Sequence, residues 1–271
     1  MATLSERGPA LADALAARTR EIAASLRGLD ERGLGTPSQL DGWSRLTIAC
    51  HLRYGAEALT RMTLDTRADK VTSYYPGGRA DERLGTLSPR AGETPFDVVE
   101  GFVAESENLQ RAWASATRAE WNLTVREPAE NPDLGSVPLT RLPLARLTEV
   151  EVHGSDLGLG LKDWSDVFVE MALPSRLEWL NTRRTNHRDV DESLQGSWLL
   201  MATDGPTWLI SVTGSSVQAL PVSGSSAATS VVQGSSRDLL ALLLGRPTNS
   251  ELLIGGDVRF GESFQSAFPG P

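Results

Sequence analysis

The side chains best suited to chemistry are few. The chain has three histidines, His51, His153 and His187, and a single cysteine, Cys50. His153 stands four residues after Glu149. On a helix that spacing puts both side chains on one face, one turn apart. One rigid helix then offers a carboxylate and an imidazole of matched reach. His51 lies in a separate apolar stretch, Ile48-Ala49-Cys50-His51-Leu52. Two histidines and a glutamate supply three ligands to a divalent ion and leave a fourth position open, as catalytic zinc sites do and structural ones do not. Taken singly, a Glu-x-x-x-His pair is a common solvated pair, and a lone histidine is commonly a hydrogen-bonded core residue. Context strengthens the ligand reading to stand level with the structural one. Val150, Val152 and Leu157 surround one histidine, and Ala49, Cys50 and Leu52 the other. Polar groups in such settings need partners, because unpaired burial is expensive.

The elements that must position these residues are helices. Leu11, Leu15, Ile22 and Leu26 recur at helical spacing. A Gly/Pro/Ser-rich break covers 33–42. Ser44 is then a predicted N-cap for a helix through Ile48, Leu52, Ala56, Leu59 and Met62. Residues 63–94, with Tyr74, Tyr75, Pro76, Gly77 and Gly78, are predicted to be mostly loop. Pro95 opens a third helix, faced by Phe96, Val99, Phe102, Val103, Leu109 and Trp113. Residues 121–138 read as extended or looped. A fourth helix is predicted over 139–157, stopping near Gly158 and Gly160. Four long helices with one long connection fit a bundle able to carry metal ligands in its core.

After one more predicted helix, 167–184, the pattern changes. From Ser197 to Leu220 apolar and polar residues alternate, with Trp208, Ile210 and Val212 on one parity. A strand is predicted at 229–232, and a short helix capped by Ser236 or Asp238 runs through Leu244 to Gly245. Residues 252–254 and 258–260 read as a last strand pair around Gly255 and Gly256. The expected fold class is α plus α+β: a helix bundle at 1–162 and a small α+β domain at 163–271.

Composition narrows the function. Of 271 residues, 40% are hydrophobic and 23% charged, as in globular domains. A net charge of -9 argues against general nucleic-acid binding, which needs clustered Lys and Arg. One cysteine excludes an intrachain disulfide framework. Glu6, Asp13 and Glu21 interrupt the N-terminal apolar residues, unlike a signal peptide, and no stretch approaches the ~18 apolar residues of a membrane span. No Gly-rich loop placed to cradle phosphate precedes a helix. The expected setting is cytoplasmic, without a membrane or nucleic-acid partner.

Two motifs carry a family resemblance. Leu40-Asp41-Gly42-Trp43-Ser44-Arg45, leading into His51-Leu52, resembles the first motif of the mycothiol-dependent maleylpyruvate isomerase family, part of the DinB-like group of metal-binding four-helix bundles. Arg146-Leu147-Thr148-Glu149-Val150-Glu151-Val152-His153, followed by Asp156-Leu157-Gly158, resembles that family's second motif, Arg-x-x-Glu-Val-x-x-His-x-x-Asp-Leu. The resemblance implies zinc bound by His51, Glu149 and His153, the residues that spacing selects, and mycothiol as thiol cofactor. The second half is similar to the sterol-carrier-protein-like domain of the family, from Gly234 through 238–244 to Gly245-Arg246. The resemblance also implies arginines that engage a dicarboxylate substrate. Arg246 matches one. The other follows a Tyr-containing loop, here Tyr75-Pro76-Gly77-Gly78-Arg79-Ala80-Asp81-Glu82-Arg83. An ungapped comparison puts Asp81 at the arginine's place. Arg79 takes the role if the loop is shortened, with Arg83 a second candidate.

An open-site metal ion acidifies what it binds and turns a bound thiol into a nucleophilic thiolate. Cys50 adjoins His51, but a helix turns it about 100° away. It reads as a small buried hydrophobe, so the thiol comes from a low-molecular-weight cofactor. Three functions fit. In an isomerase, the thiolate adds to a conjugated cis double bond, the new single bond rotates, and elimination returns the trans product. In a mycothiol S-transferase, serving detoxification or natural-product biosynthesis, the thiolate displaces a leaving group from a small electrophile; the altered arginine loop favours this reading. In the third, the chain is a non-catalytic metal-binding or small-molecule-binding protein. His187 reads as a surface loop residue. Trp43 and Trp164 read as packing anchors at segment starts.

Overall fold

A computed structural model describes residues 4–130, 134–180, 194–214, 216–223, 226–268 and 270. Internal contacts divide the chain into two units, Met1–Phe168 and Val169–Pro271.

In the first unit α1, Leu4–Arg27, buries Leu11, Leu15, Ile22 and Leu26, as their spacing requires. A short helix α2, Glu31–Gly35, follows, capped by Asp30, and overlaps the start of the expected break. The longer α3, Arg45–Arg67, starts at Ser44, whose Oγ accepts the Thr47 N–H at 3.1 Å. It runs past the expected helix end because Arg67 is held by the Ala112 carbonyl and the Glu120 carboxylate. A further helix, α4 at Arg79–Thr86, replaces part of the expected loop. Asp81 and Glu82 lie in its first turn, where acidic side chains complement the helix dipole. None of its residues is buried, so no apolar stripe marks it in the sequence. The fifth helix, α5, spans Pro95–Ala114 behind a Thr94/Asp97 capping box. A ribbon of β1, Thr124–Val125, and β2, Val137–Pro138, leads to α6, Leu142–Asp156. That helix begins later than expected because 139–141 tighten into a 3-10 turn. Both α1 and α3 pack on α5 and α6. Their shared core holds Ile22, Leu26, Ile48, Leu52, Phe102, Leu109, Leu147 and Val150. This is the expected four-helix bundle.

Helix α7, Asp166–Glu178, crosses the unit boundary. The part of its expected span beyond residue 180, and His187, lie outside the described residues. The second unit holds β3, Gly196–Ala202; β4, Thr207–Thr213; β5, Ser216–Val222; β6, Ser230–Gly234; and β7, Leu253–Gly256. Their order is β5-β4-β3-β6-β7, an antiparallel meander whose β6 returns parallel to β3. Trp198 pairs with Ile210 and Leu200 with Trp208, so the expected parity defines one apolar face. Helix α8, Ser236–Leu244, is capped by Ser235, whose Oγ accepts the Asp238 N–H, one residue before the nearer of the two expected caps. It closes at Gly245 with φ 64°, a left-handed geometry that favours glycine. The expected last strand pair is corrected. Only β7 is a strand, pairing with β6. Residues Val258–Glu262 form a helix, α9, because Asp257 accepts the Phe260 N–H at 3.0 Å and starts a turn. The Phe260 ring then stacks on Trp198 at 4.2 Å, beside Phe264 from α10, Phe264–Ala267. Among the described residues no helix is long and apolar enough to cross a membrane.

Candidate metal centre

The two motifs meet inside the bundle. Residue His51 comes from the second turn of α3, and Glu149 and His153 from successive turns of α6. Their donor atoms all lie within 4.8 Å of one another. The His51 Nε2 is 2.8 Å from the Glu149 Oε2, and the His153 Nε2 is 3.5 Å from the same oxygen. The two imidazole rings stand edge to face, 4.8 Å between centroids. Ligand bonds near 2 Å put donors roughly 3.3 Å apart around a tetrahedral ion, so small rotations convert this cluster into a coordination shell. Side-chain exposures are 12% for His51, 15% for His153 and 41% for Glu149. The imidazoles are enclosed, while the carboxylate borders open space, as an open coordination position requires.

Aspartate 156, one turn past His153, has its Oδ2 3.0 Å from the His153 Nδ1. A carboxylate on that nitrogen fixes the proton there and leaves Nε2 to face the cluster, the support usual for histidine ligands. Burial works against charge on His153, but Asp156 and Glu149 outweigh it and raise its pKa to about 9. Burial likewise opposes ionisation of Glu149, and hydrogen bonds with His153 and His51 overcome it, holding the carboxyl well below its usual range. Desolvation dominates at His51 and keeps it neutral, with Glu149 opposing. Without metal, one carboxylate thus sits between a charged and a neutral imidazole. A cation entering the cluster displaces the His153 proton, as expected of histidine ligands.

Tryptophan 43 closes one side. Its ring stacks on His153 at 5.8 Å and meets His51 edge-on at 5.4 Å. It is a packing anchor, as its position suggested, but the surface it anchors on is the histidine pair. Tyr54 lies one turn beyond His51 on α3. Its ring stacks on Tyr75 at 5.3 Å, and its hydroxyl donates to the Tyr74 carbonyl at 2.8 Å. The Arg79 guanidinium carbon stands 5.6 Å from the Tyr75 ring centre. Two rings therefore link Arg79 to the His51 helix. Asp81 and Arg83 lie on α4 with it. Residue Arg246 belongs to the second unit, just past Gly245, where its Nη1 donates to the Leu244 carbonyl at 3.1 Å. The Cys50 side chain is fully buried, and desolvation pushes its thiol up to about 11. Burial thus favours the protonated thiol over the nucleophilic thiolate at neutral pH. The role of Asp156 escaped the sequence reading, although its position three residues after His153 was a usable signal.

Residues 15–158 match the family model of the mycothiol maleylpyruvate isomerase N-terminal domain. Among solved structures, the fold is similar to a crystal structure of the mycothiol-dependent maleylpyruvate isomerase, with 20% identity and a TM-score of 0.66, over 94% of this chain and 93% of that one. A histidine-to-alanine mutant of mycothiol-dependent maleylpyruvate isomerase matches with 19% identity, the same TM-score and the same coverage. No curated protein matches the chain.

Proposed function

Because the chain belongs to the mycothiol maleylpyruvate isomerase N-terminal domain family, we propose that it is a metal- and thiol-dependent enzyme acting on a small unsaturated dicarboxylate. The observation that carries this reading is the convergence of His51, Glu149 and His153, with Asp156 behind His153. Bound there, a divalent ion such as zinc supplies a Lewis acid that keeps an external low-molecular-weight thiol, mycothiol, as thiolate at neutral pH, the nucleophile for cis-trans isomerisation. The chain's own residues do the rest. Asp156 holds the His153 tautomer. Trp43 shields the imidazoles from water. Arg79 and Arg246 are assigned to substrate carboxylates, which a planar guanidinium binds with two parallel hydrogen bonds. A buried free thiol at Cys50 and use of a reduced small thiol suit the cytoplasm.

One observation favours mycothiol S-transfer as a second reading. Asp81 stands exposed in the first turn of α4, close in sequence to Arg79. A carboxylate there disfavours a dicarboxylate and suits a neutral electrophile. The test is metal analysis of the purified protein with turnover assays on maleylpyruvate and on alkyl halides, with and without mycothiol. One equivalent of metal, lost in His153→Ala, and thiol-dependent turnover are expected. Turnover without any thiol would point instead to a metal-bound hydroxide and a hydrolase.

A further inference from the structure

Arginine 146 lies on α6, one turn before Glu149, and is 1% exposed. Burial pushes its guanidinium down to about 10, so it stays charged at neutral pH. Among the described residues it makes no ion pair. Its Nη1 donates to the Leu52 carbonyl at 2.9 Å, and its Nη2 to the Ser106 Oγ at 3.3 Å. The first acceptor is the backbone of the residue next to His51, and the second stands on α5. One side chain therefore joins the α6 helix, which carries Glu149 and His153, to the α3 helix, which carries His51. A buried cation with no carboxylate in direct contact, only the field of Glu149 one turn away, is costly, which calls for a reason beyond packing.

Glycine at position 55 eases the close approach of this clasp. Gly55 lies on α3, four residues after His51 and so on the same face. A Cβ there would stand 3.2 Å from the Arg146 Nη1 and 3.0 Å from the Tyr74 hydroxyl. Its backbone is not left-handed, so the missing side chain serves the approach of these groups rather than a turn. Both feel the charge of Glu149.

We propose that Arg146, seated in the notch at Gly55, is a positioning residue that sets the spacing between His51 and the Glu149–His153 pair, and so the geometry of the metal shell. This rests on the metal reading above. A Lys at 146 keeps the charge but cannot reach two acceptors with a planar fork. A methyl at Gly55 crowds the Tyr74 hydroxyl and the Arg146 Nη1, which must give by a few tenths of an ångström, without touching any ligand.

The experiment measures zinc affinity by chelator competition, and the visible spectrum of the cobalt-substituted protein, for wild type, Arg146→Lys and Gly55→Ala. Gly55→Ala is repeated in a Tyr74→Phe background, where the hydroxyl contact is gone and only the Arg146 contact remains. Apoprotein unfolding is followed in parallel. Arg146→Lys should weaken zinc binding about ten- to a hundredfold, as loss of ligand support does elsewhere, and Gly55→Ala should weaken it in the same direction by a smaller factor. They should also change the cobalt bands, and the Gly55→Ala effect should persist with Tyr74→Phe. A role in stability alone would lower the unfolding midpoint and leave affinity and spectrum unmoved, and that result overturns the proposal. So does loss of the Gly55→Ala effect in the Tyr74→Phe background. A wild type that binds no divalent ion overturns the metal reading and this inference with it. A wild type that binds while both variants bind equally well overturns this inference alone. Should Arg146→Lys fail to fold, Gly55→Ala decides, since alanine is the better helix former.

Discussion

At the residue scale, the cluster depends on which nitrogen of His153 carries the proton. Asp156 fixes that choice from a buried position, one turn past the ligand. Asp156→Ala should therefore lower metal affinity by about ten- to a hundredfold. Asp156→Asn, which keeps an oxygen acceptor, should retain most of it. Chelator competition on the two variants checks this, and equal affinities would show that Asp156 only packs. Cys50 sets a contrasting case. It neighbours His51 in sequence, yet it is fully buried with its thiol pushed up to about 11. Cys50→Ser should keep its metal and its mycothiol-dependent turnover. Loss of turnover with metal still bound would make Cys50 the nucleophile. Native protein should also resist thiol alkylation at pH 8 far longer than unfolded protein, because burial withholds both access and ionisation.

At the element scale, the bundle has a second fastening away from the metal cluster. Arg67, in the last turn of α3, reaches the Glu120 carboxylate at 2.8 Å and the Ala112 carbonyl near the end of α5. Hydrogen bonds from Thr117 and then Arg67 pull the Glu120 pKa down from 4.5 to about 2. A depressed carboxyl stabilises the fold above its unfolded value and loses that contribution as the pH falls toward the folded one. Urea midpoints of wild type should thus exceed those of Glu120→Gln at pH 6. The difference should shrink between pH 4.5 and pH 2, the window set by the two values. A gap that stays constant through that window would assign the effect to packing. These elements also show what the sequence could reveal. Long helices with a buried stripe, such as α1 with Leu11 and Leu15, or with a stripe and a cap, such as α3 behind Ser44, were legible because periodicity and capping act locally. Helix α4 was not, since it buries nothing and leaves no stripe. At Val258 an apolar alternation imitated a strand, and the Asp257 cap prevailed over it. The three ligands were legible from spacing and motif. Arg146 was visible only as part of a motif, because its clasp depends on an acceptor in another helix, nearly a hundred residues away in sequence.

At the scale of the whole molecule, the chain has the bundle and sheet of its solved structural relatives across nearly its full length. Every residue of the metal cluster, with Asp156, Trp43 and Arg146, belongs to the first unit, Met1–Phe168. The assigned arginines are divided: Arg79 is in the first unit and Arg246 in the second. That division permits a clean separation of metal binding from substrate recognition. Arg246 follows the left-handed Gly245 that ends α8, and its backbone N–H bonds to the Ala241 carbonyl at 2.9 Å, so the helix end fixes where the side chain begins. Exchanging its guanidinium for a neutral side chain leaves this backbone arrangement in place. Arg246→Met should bind one equivalent of metal with wild-type affinity, because no ligand or ligand support lies in the second unit among the described residues. If Arg246 engages a substrate carboxylate, the KM for a dicarboxylate should rise about tenfold or more, the loss of a charge-assisted hydrogen bond. The KM for an uncharged electrophile should be unchanged. Equal KM values for both substrates in wild type and variant would remove Arg246 from recognition and leave Arg79 as the assigned anion contact. A fall in metal content would instead show that Arg246 supports the metal shell as well.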